Sequence, residues 1–160
     1  MRACNRLGVL VDVSHLNDRA FRGVANITAE PVVATHLAVH AICPLSRNLT
    51  DWQLDAIGDS SGIVGITSTV SATRPDGWDE RDTPLTGIAD HIDYIIRRIG
   101  IDRVGFGSDF DGAAMPDGLH DAAGLPNLIA TLRERGYTEP EIVRLAHGNW
   151  ERVLAATWKG

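Results

Sequence analysis

Two histidines and an aspartate stand at the ends of β-like segments in this 160-residue sequence. His15 ends the run V-D-V-S-H, His36 ends V-V-A-T-H, and Asp109 ends G-F-G-S-D. Because the carboxyl ends of parallel strands meet at one edge of a sheet or barrel, we expect the three side chains to converge. Zinc accepts imidazole and carboxylate ligands and lowers the pKa of a bound water to about 7. The pattern predicts a metal site, while the residues alone leave open that each histidine is a hydrogen-bonded structural residue.

The segments that must position these residues are short and rich in β-branched side chains. Nearly continuous apolar runs of this length are typical of strands buried on both faces of a parallel sheet. Right-handed crossovers place successive strands side by side, so the sequence predicts an α/β fold with four parallel strands in chain order and helices packed outside them. The predicted strands are Gly8–His15, Pro31–His36, Gly62–Thr67 and Arg103–Asp109.

Helix starts are marked by specific polar residues between and after these runs. Thr50 with Gln53 and Thr138 with Glu141 have the spacing of a capping box, in which two side chains satisfy the free N–H groups of the first turn. Thr83–Pro84 pairs an N-cap candidate with proline at the first helical position. Each of these signals predicts a helix that begins at that point.

The composition excludes several function classes. A net charge of −6 without clustered Lys or Arg argues against nucleic acid and anionic membrane surfaces as partners. No stretch approaches the roughly 18 consecutive apolar residues that a membrane span needs, so we expect a soluble protein and favour the cytoplasm. Cys4 and Cys43 are too few and too widely spaced for a disulfide framework or a thiolate zinc site.

Several motifs taken together resemble the membrane (renal) dipeptidase family. They span nearly the whole chain and occur in that family's order. The resemblance implies a (β/α)₈ barrel metalloprotease with two zinc ions bridged by a carboxylate and a water, which cleaves dipeptides and, in some members, β-lactams. The motifs are residues 5–15, 31–36, 46–49, 90–93, 105–112, 118–119 and 148–149.

The resemblance also assigns roles to individual residues. His15 and His36 correspond to two histidine ligands of one zinc. Arg47 corresponds to the residue that pairs with the terminal carboxylate of a dipeptide, a partner that suits the planar guanidinium. Asp109 corresponds to the catalytic aspartate near the bridging water. The implied reaction is hydrolysis of the peptide bond by metal-activated water, with Asp109 handling protons.

Part of the implied metal site has no counterpart in these residues. The family's His-x-Asp pair and bridging glutamate belong to the first half of the barrel, and no His-x-Asp motif precedes His15. A complete barrel needs about 250 residues. We therefore expect residues 1–160 to be the C-terminal part of a single barrel domain without its N-terminal part. Such a fragment should be inactive alone and should tend to self-associate through its open sheet edges.

Two other interpretations are compatible with the same residues. The parent protein could hydrolyse another amide or lactam substrate, or the chain could be a noncatalytic half-barrel module. An adjoining sequence with the His-x-Asp pair and a glutamate would favour an enzyme over the module. Hydrolysis of a dipeptide panel would then separate the two enzymatic alternatives.

Overall fold

The centre of the molecule is a parallel three-stranded sheet. A computed structural model describes residues 1–158. In it β1 (Val33–Leu37), β2 (Ile63–Thr67) and β3 (Val104–Ser108) lie side by side in chain order. Val33 pairs with Ile63, and Val64 pairs with Val104. The predicted parallel arrangement and strand order are confirmed for these three segments, whose limits differ by at most two residues from the predicted ones.

The prediction of a fourth strand over Gly8–His15 is wrong. Only Asp12 forms a bridge with β1, opposite Val33, and the rest of the segment has no ladder. The Asp12 carboxylate explains this difference, because its Oδ1 accepts hydrogen bonds from the backbone N–H groups of Ser14, at 2.9 Å, and Thr35, at 3.0 Å. Side-chain bonds of this kind compete with backbone pairing and turn the chain. The turn ends at His15, which has a φ of 63°.

Both predicted capping boxes are present, at Thr50 with Gln53 and at Thr138 with Glu141. The helix predicted from Thr83–Pro84 begins later, at Thr86, because the Thr83 hydroxyl bonds within the preceding loop. The helices are α1 Arg2–Leu7, α2 Asp18–Ala25, α3 Asp51–Asp59, α4 Val70–Thr73, α5 Thr86–Ile99, α6 Leu125–Glu134, α7 Glu139–Val143 and α8 Asn149–Thr157.

The helix predicted from Thr138 onward is divided in the structure. A wide π-helical turn, Arg144–Gly148, separates α7 from α8. The buried Asn149 side chain then donates to the carbonyl oxygens of Ile101 and Val104, at 2.7 and 2.8 Å. These bonds attach the start of α8 to the beginning of β3.

The two faces of the sheet are covered differently. The main core lies on the face toward α3 and α5, where Ile57, Ile88 and Ile92 are fully buried. On the other face Trp150 packs closely enough that a Cβ on Gly105 would lie 2.7 Å from its Nε1. The indole Nε1 donates to the Phe106 carbonyl at 2.9 Å. None of the helices within residues 1–158 has the length and apolar character needed to cross a bilayer.

Candidate metal-binding site

His15 and His36 come together at the carboxyl-terminal side of the sheet. Their Nε2 atoms are 2.7 Å apart and their ring centroids 4.8 Å apart. Two nitrogens that share a tetrahedral zinc at 2.0–2.1 Å lie about 3.3 Å apart, so a small separation of the rings would accommodate the ion. The nitrogen donors and their spacing therefore fit a zinc ion.

Side chains beside the two histidines hold this pair in place. Thr35 donates from its Oγ1 to Asp12 Oδ2 at 2.5 Å, and Thr35 Oγ1 lies 2.7 Å from His36 Nδ1. The backbone N–H of His36 donates to Ser14 Oγ at 3.3 Å. Asp12 and Ser14 thus connect the His15 turn to β1 through side chains, at the place where the backbone ladder is absent.

Arg47 approaches the same cluster from the loop between β1 and α3. Its Nη2 is 3.4 Å from His15 Nε2 and 3.7 Å from Asp109 Oδ2. The loop is anchored by the buried Asn48, whose Nδ2 donates to the carbonyl oxygens of Cys43 and Ala72 at 3.0 and 2.9 Å. Arg47 therefore connects the histidine pair with Asp109.

Asp109 lies just after β3 in a strained stretch of backbone. Ser108, Asp109 and Asp111 all have positive φ, at 24°, 71° and 64°. Such conformations cost free energy in non-glycine residues and persist where the surrounding structure enforces them, often at functional sites. Thr69, which follows β2, donates to Asp109 Oδ2 at 3.4 Å. The strained turn directs the Asp109 carboxylate toward Arg47.

The electrostatic environment keeps His15 available as a ligand. Partial burial, together with the nearby Arg47 guanidinium and the His36 ring, lowers the pKa of His15 below its ordinary value of 6.5. The ring is therefore mostly neutral at pH 7. A neutral imidazole is the form that binds a metal ion.

The rings of three of the four other histidines have hydrogen-bond partners outside this cluster. His91 in α5 is fully buried and makes two hydrogen bonds with backbone groups. His120 contacts Arg81 and His147 contacts Glu151, both on the exposed surface. These contacts give the three residues structural or surface roles.

The structure brings His15, His36, Arg47 and Asp109 into one cluster, but Asp109 reaches the imidazoles through Arg47. Within residues 1–158 no group of three or more His, Cys, Asp or Glu side chains is placed to hold a metal ion. Sequence reasoning missed Thr35, which touches His36. The only signal for it was a hydroxyl residue directly before a candidate ligand.

The chain is similar to several known proteins. Residues 1–159 match the family model of membrane dipeptidase, peptidase family M19. The chain is 49% identical over 159 residues to an uncharacterized protein in the pqqA 5′ region of Klebsiella pneumoniae, and the match covers 99% of this chain and 59% of that protein. It is 40% identical over 151 residues to dipeptidase aclJ of Aspergillus oryzae, covering 94% of this chain and 35% of that protein.

The fold agrees with these sequence matches. The chain has a TM-score of 0.96 and 45% identity to a metallo peptidase from Rhodobacter sphaeroides, whose crystal structure contains a phosphinate mimic of the dipeptide L-Ala-D-Ala. That alignment covers 98% of this chain and 45% of the Rhodobacter chain. The chain therefore spans from about a third to about three fifths of the length of these relatives. The family match over residues 1–159 shows that this chain belongs to the membrane dipeptidase family of metallopeptidases, family M19.

Proposed function

We propose that residues 1–160 form the C-terminal part of a single (β/α)₈ barrel and contribute one side of a zinc-dependent dipeptidase active site. The observation that carries this proposal is the close pair of imidazole Nε2 atoms, 2.7 Å apart, beside Arg47. The parallel strand order and the agreement with M19 structures over 98% of the chain support it.

In this proposal His15 and His36 are two ligands of one zinc ion, presented through Nε2. The remaining ligands of a binuclear zinc site are contributed by parts of the protein beyond these residues, since no larger ligand group is present within residues 1–158. Bound zinc lowers the pKa of water and polarises a carbonyl oxygen. The role of this chain is to direct the two imidazoles to one point.

Arg47 is proposed to bind the terminal carboxylate of the dipeptide. Three other arginines in this chain bind a carboxylate with the edge formed by Nε and Nη2, in the pairs Arg74–Asp76, Arg98–Asp55 and Arg133–Glu139.

The same edge of Arg47 makes no such short pair of bonds among residues 1–158. Its Nε is buried without a hydrogen-bond partner among residues 1–158, and its Nη2 makes only long contacts of 3.4 and 3.7 Å. Leaving a buried donor unpaired costs about 1–3 kcal/mol. A substrate carboxylate on this edge would bind Nη2, and would bind Nε as well once the side chain turns outward.

Asp109 is proposed to accept and return the proton during hydrolysis. Its carboxylate lies 3.7 Å from Arg47 Nη2 and 3.4 Å from Thr69 Oγ1, so two neighbours hold it in place. A carboxylate linked to the histidine pair through Arg47 can take a proton from an attacking water and donate it to the leaving amine.

The position of Arg47 and the ligand of one relative both indicate the class of substrate. The Rhodobacter metallo peptidase, 45% identical, binds a phosphinate mimic of L-Ala-D-Ala. A guanidinium this close to the metal ligands suits a substrate whose free carboxylate lies near its scissile bond. We therefore propose small dipeptides with a free C-terminus as substrates.

The test is zinc-dependent hydrolysis by this chain joined to the part of the Klebsiella relative that it does not cover. L-Ala-D-Ala, its C-terminal amide and a β-lactam are compared as substrates. We expect turnover of the free dipeptide that His36→Ala abolishes, whereas Arg133→Lys, a change at an exposed carboxylate-binding arginine, has no effect. Turnover confined to the lactam or to the amide would refute the dipeptidase proposal.

A further inference from the structure

The Thr35 hydroxyl lies between the Asp12 carboxylate and the His36 ring. It is 2.5 Å from Asp12 Oδ2 and 2.7 Å from His36 Nδ1, and both distances are those of strong hydrogen bonds. The three groups therefore form a continuous relay that ends on the ring nitrogen opposite Nε2.

The direction of each hydrogen bond follows from the donors available. An ionised carboxylate only accepts, and a hydroxyl has one proton to donate. Thr35 therefore gives its proton to Asp12, and its oxygen must accept from His36 Nδ1–H. The His36 proton is then on Nδ1, and the lone pair is on Nε2, the atom that lies 2.7 Å from His15 Nε2.

The charge state of Asp12 supports this assignment. Partial burial tends to raise the pKa of Asp12, but hydrogen bonds from Thr35 and Ser14 outweigh it, so the pKa is lowered from its ordinary value of 3.8. Asp12 is ionised at neutral pH and can only accept. The backbone N–H of Thr35 donates to Asp12 Oδ1 at 3.0 Å and so holds the carboxylate against β1.

We propose that Thr35, oriented by Asp12, is a positioning residue that holds His36 in the Nδ1–H form and so presents Nε2 to a metal ion. The inference rests on the proposed metal role of His36 and adds two residues to that site. Metal-bound histidines commonly donate their other N–H to such a partner, and loss of the partner weakens metal binding by about 10–100-fold.

The sharpest test is Asp12→Asn, which keeps the shape of the side chain. The asparagine carbonyl can still accept from the Thr35 N–H, but its amide must donate to the Thr35 hydroxyl. The hydroxyl then donates to His36 Nδ1, and the ring proton moves to Nε2. An amide in place of a carboxylate that orients histidine inverts a tautomer in this way with little change of geometry.

Two measurements follow this inversion in the 160-residue chain. Long-range ¹H–¹⁵N NMR spectra at pH 8 report which nitrogen of His36 carries the proton. Competition with a chromophoric chelator reports the affinity for zinc alone. We expect Nδ1–H in the wild type, Nε2–H in Asp12→Asn, and about 10–100-fold weaker zinc binding in that variant.

Thr35→Val and Thr35→Ser provide a second, independent comparison. Valine removes the hydroxyl, so it should abolish the preference of His36 for the Nδ1–H tautomer and weaken zinc binding. Serine keeps the hydroxyl, so it should retain the tautomer preference and the zinc affinity of the wild type. Thr131→Val is the matched control, because the Thr131 hydroxyl only donates to the Asn127 carbonyl on α6, outside the cluster. Circular dichroism establishes that each variant is folded.

The outcomes separate this inference from the proposed function. A wild-type His36 with its proton on Nε2 would overturn the inference whatever the zinc affinity. Loss of zinc binding in His36→Ala, with unchanged binding in Asp12→Asn and Thr35→Val, would also overturn it while supporting the metal role. If the wild type binds no zinc but its Nδ1–H tautomer still inverts in Asp12→Asn, the metal role is refuted and the positioning by Thr35 is supported.

Discussion

Burial of His91 should make this protein less stable in acid, and replacing His91 with glutamine should remove that part of the pH dependence. The ring is fully buried in α5. Its Nδ1 accepts from the Val39 N–H at 3.0 Å, and its Nε2 lies 3.2 Å from the Thr73 carbonyl. A neutral imidazole satisfies both partners, whereas a protonated ring would place a donor against the Val39 N–H. Glutamine can make both bonds and does not titrate.

The magnitude follows from the pKa of the buried ring. Burial lowers the pKa of His91 to about 4, from an ordinary value of 6.5. Between these values the unfolded chain binds the proton and the folded chain does not, so acid favours unfolding. Because each pKa unit is worth about 1.4 kcal/mol, the difference of about 2.5 units lowers the free energy of unfolding by about 3 kcal/mol between pH 7 and pH 4.

The assay is urea unfolding monitored by circular dichroism at several pH values from 7 to 4. Carboxylates also titrate in this range, so the decisive quantity is the difference between the wild type and His91→Gln. We expect the variant to lose about 3 kcal/mol less than the wild type over this interval. His147→Gln, the same change at an exposed histidine, should follow the wild type. Parallel losses in the wild type and His91→Gln would refute the reasoning.

Four further predictions concern the site and the sheet. In the completed protein, Arg47→Lys should raise KM for free dipeptides much more than for their amides, because lysine lacks the planar fork; equal effects would indicate a structural role. The 160-residue chain alone should hydrolyse no dipeptide measurably with added zinc, and turnover abolished by His15→Ala would contradict this. Gly65→Ala should destabilise the fold by about 3 kcal/mol or more in urea unfolding, because the new Cβ would lie 2.0 Å from the Thr35 carbonyl oxygen. Gly23→Ala is the control and should not destabilise the fold, because the space around Gly23 is open. Sedimentation velocity should show concentration-dependent self-association through the open edge of β3, and a monomer at every concentration would exclude it.

Much of the fold could be predicted from local patterns. The runs that became β1, β2 and β3 are nearly continuous in apolar residues, and all five residues of β2 are buried. The capping boxes at Thr50 and Thr138 depend only on residues three apart, and both formed. Patterns of this kind succeed because their physical cause lies within one element.

The segment Gly8–His15 shows where local patterns fail. It has the same β-branched composition as the other runs, yet only Asp12 pairs with β1. Whether a strand forms there depends on the Asp12 carboxylate, which binds the N–H of Thr35, 23 residues away. Composition alone could not show that competition.

The sequence by itself determined the residue types of the site, the strands that carry His36 and precede Asp109, and the family resemblance. The tertiary structure decided how these residues meet. Arg47 contacts His15 and Asp109 from a separate loop, Thr35 joins Asp12 to His36, and β1 tolerates its close approach to β2 because Gly65 has no side chain. Helical and strand periodicity is a local property of the chain, whereas a hydrogen-bonded cluster depends on the packing of segments that are distant in sequence.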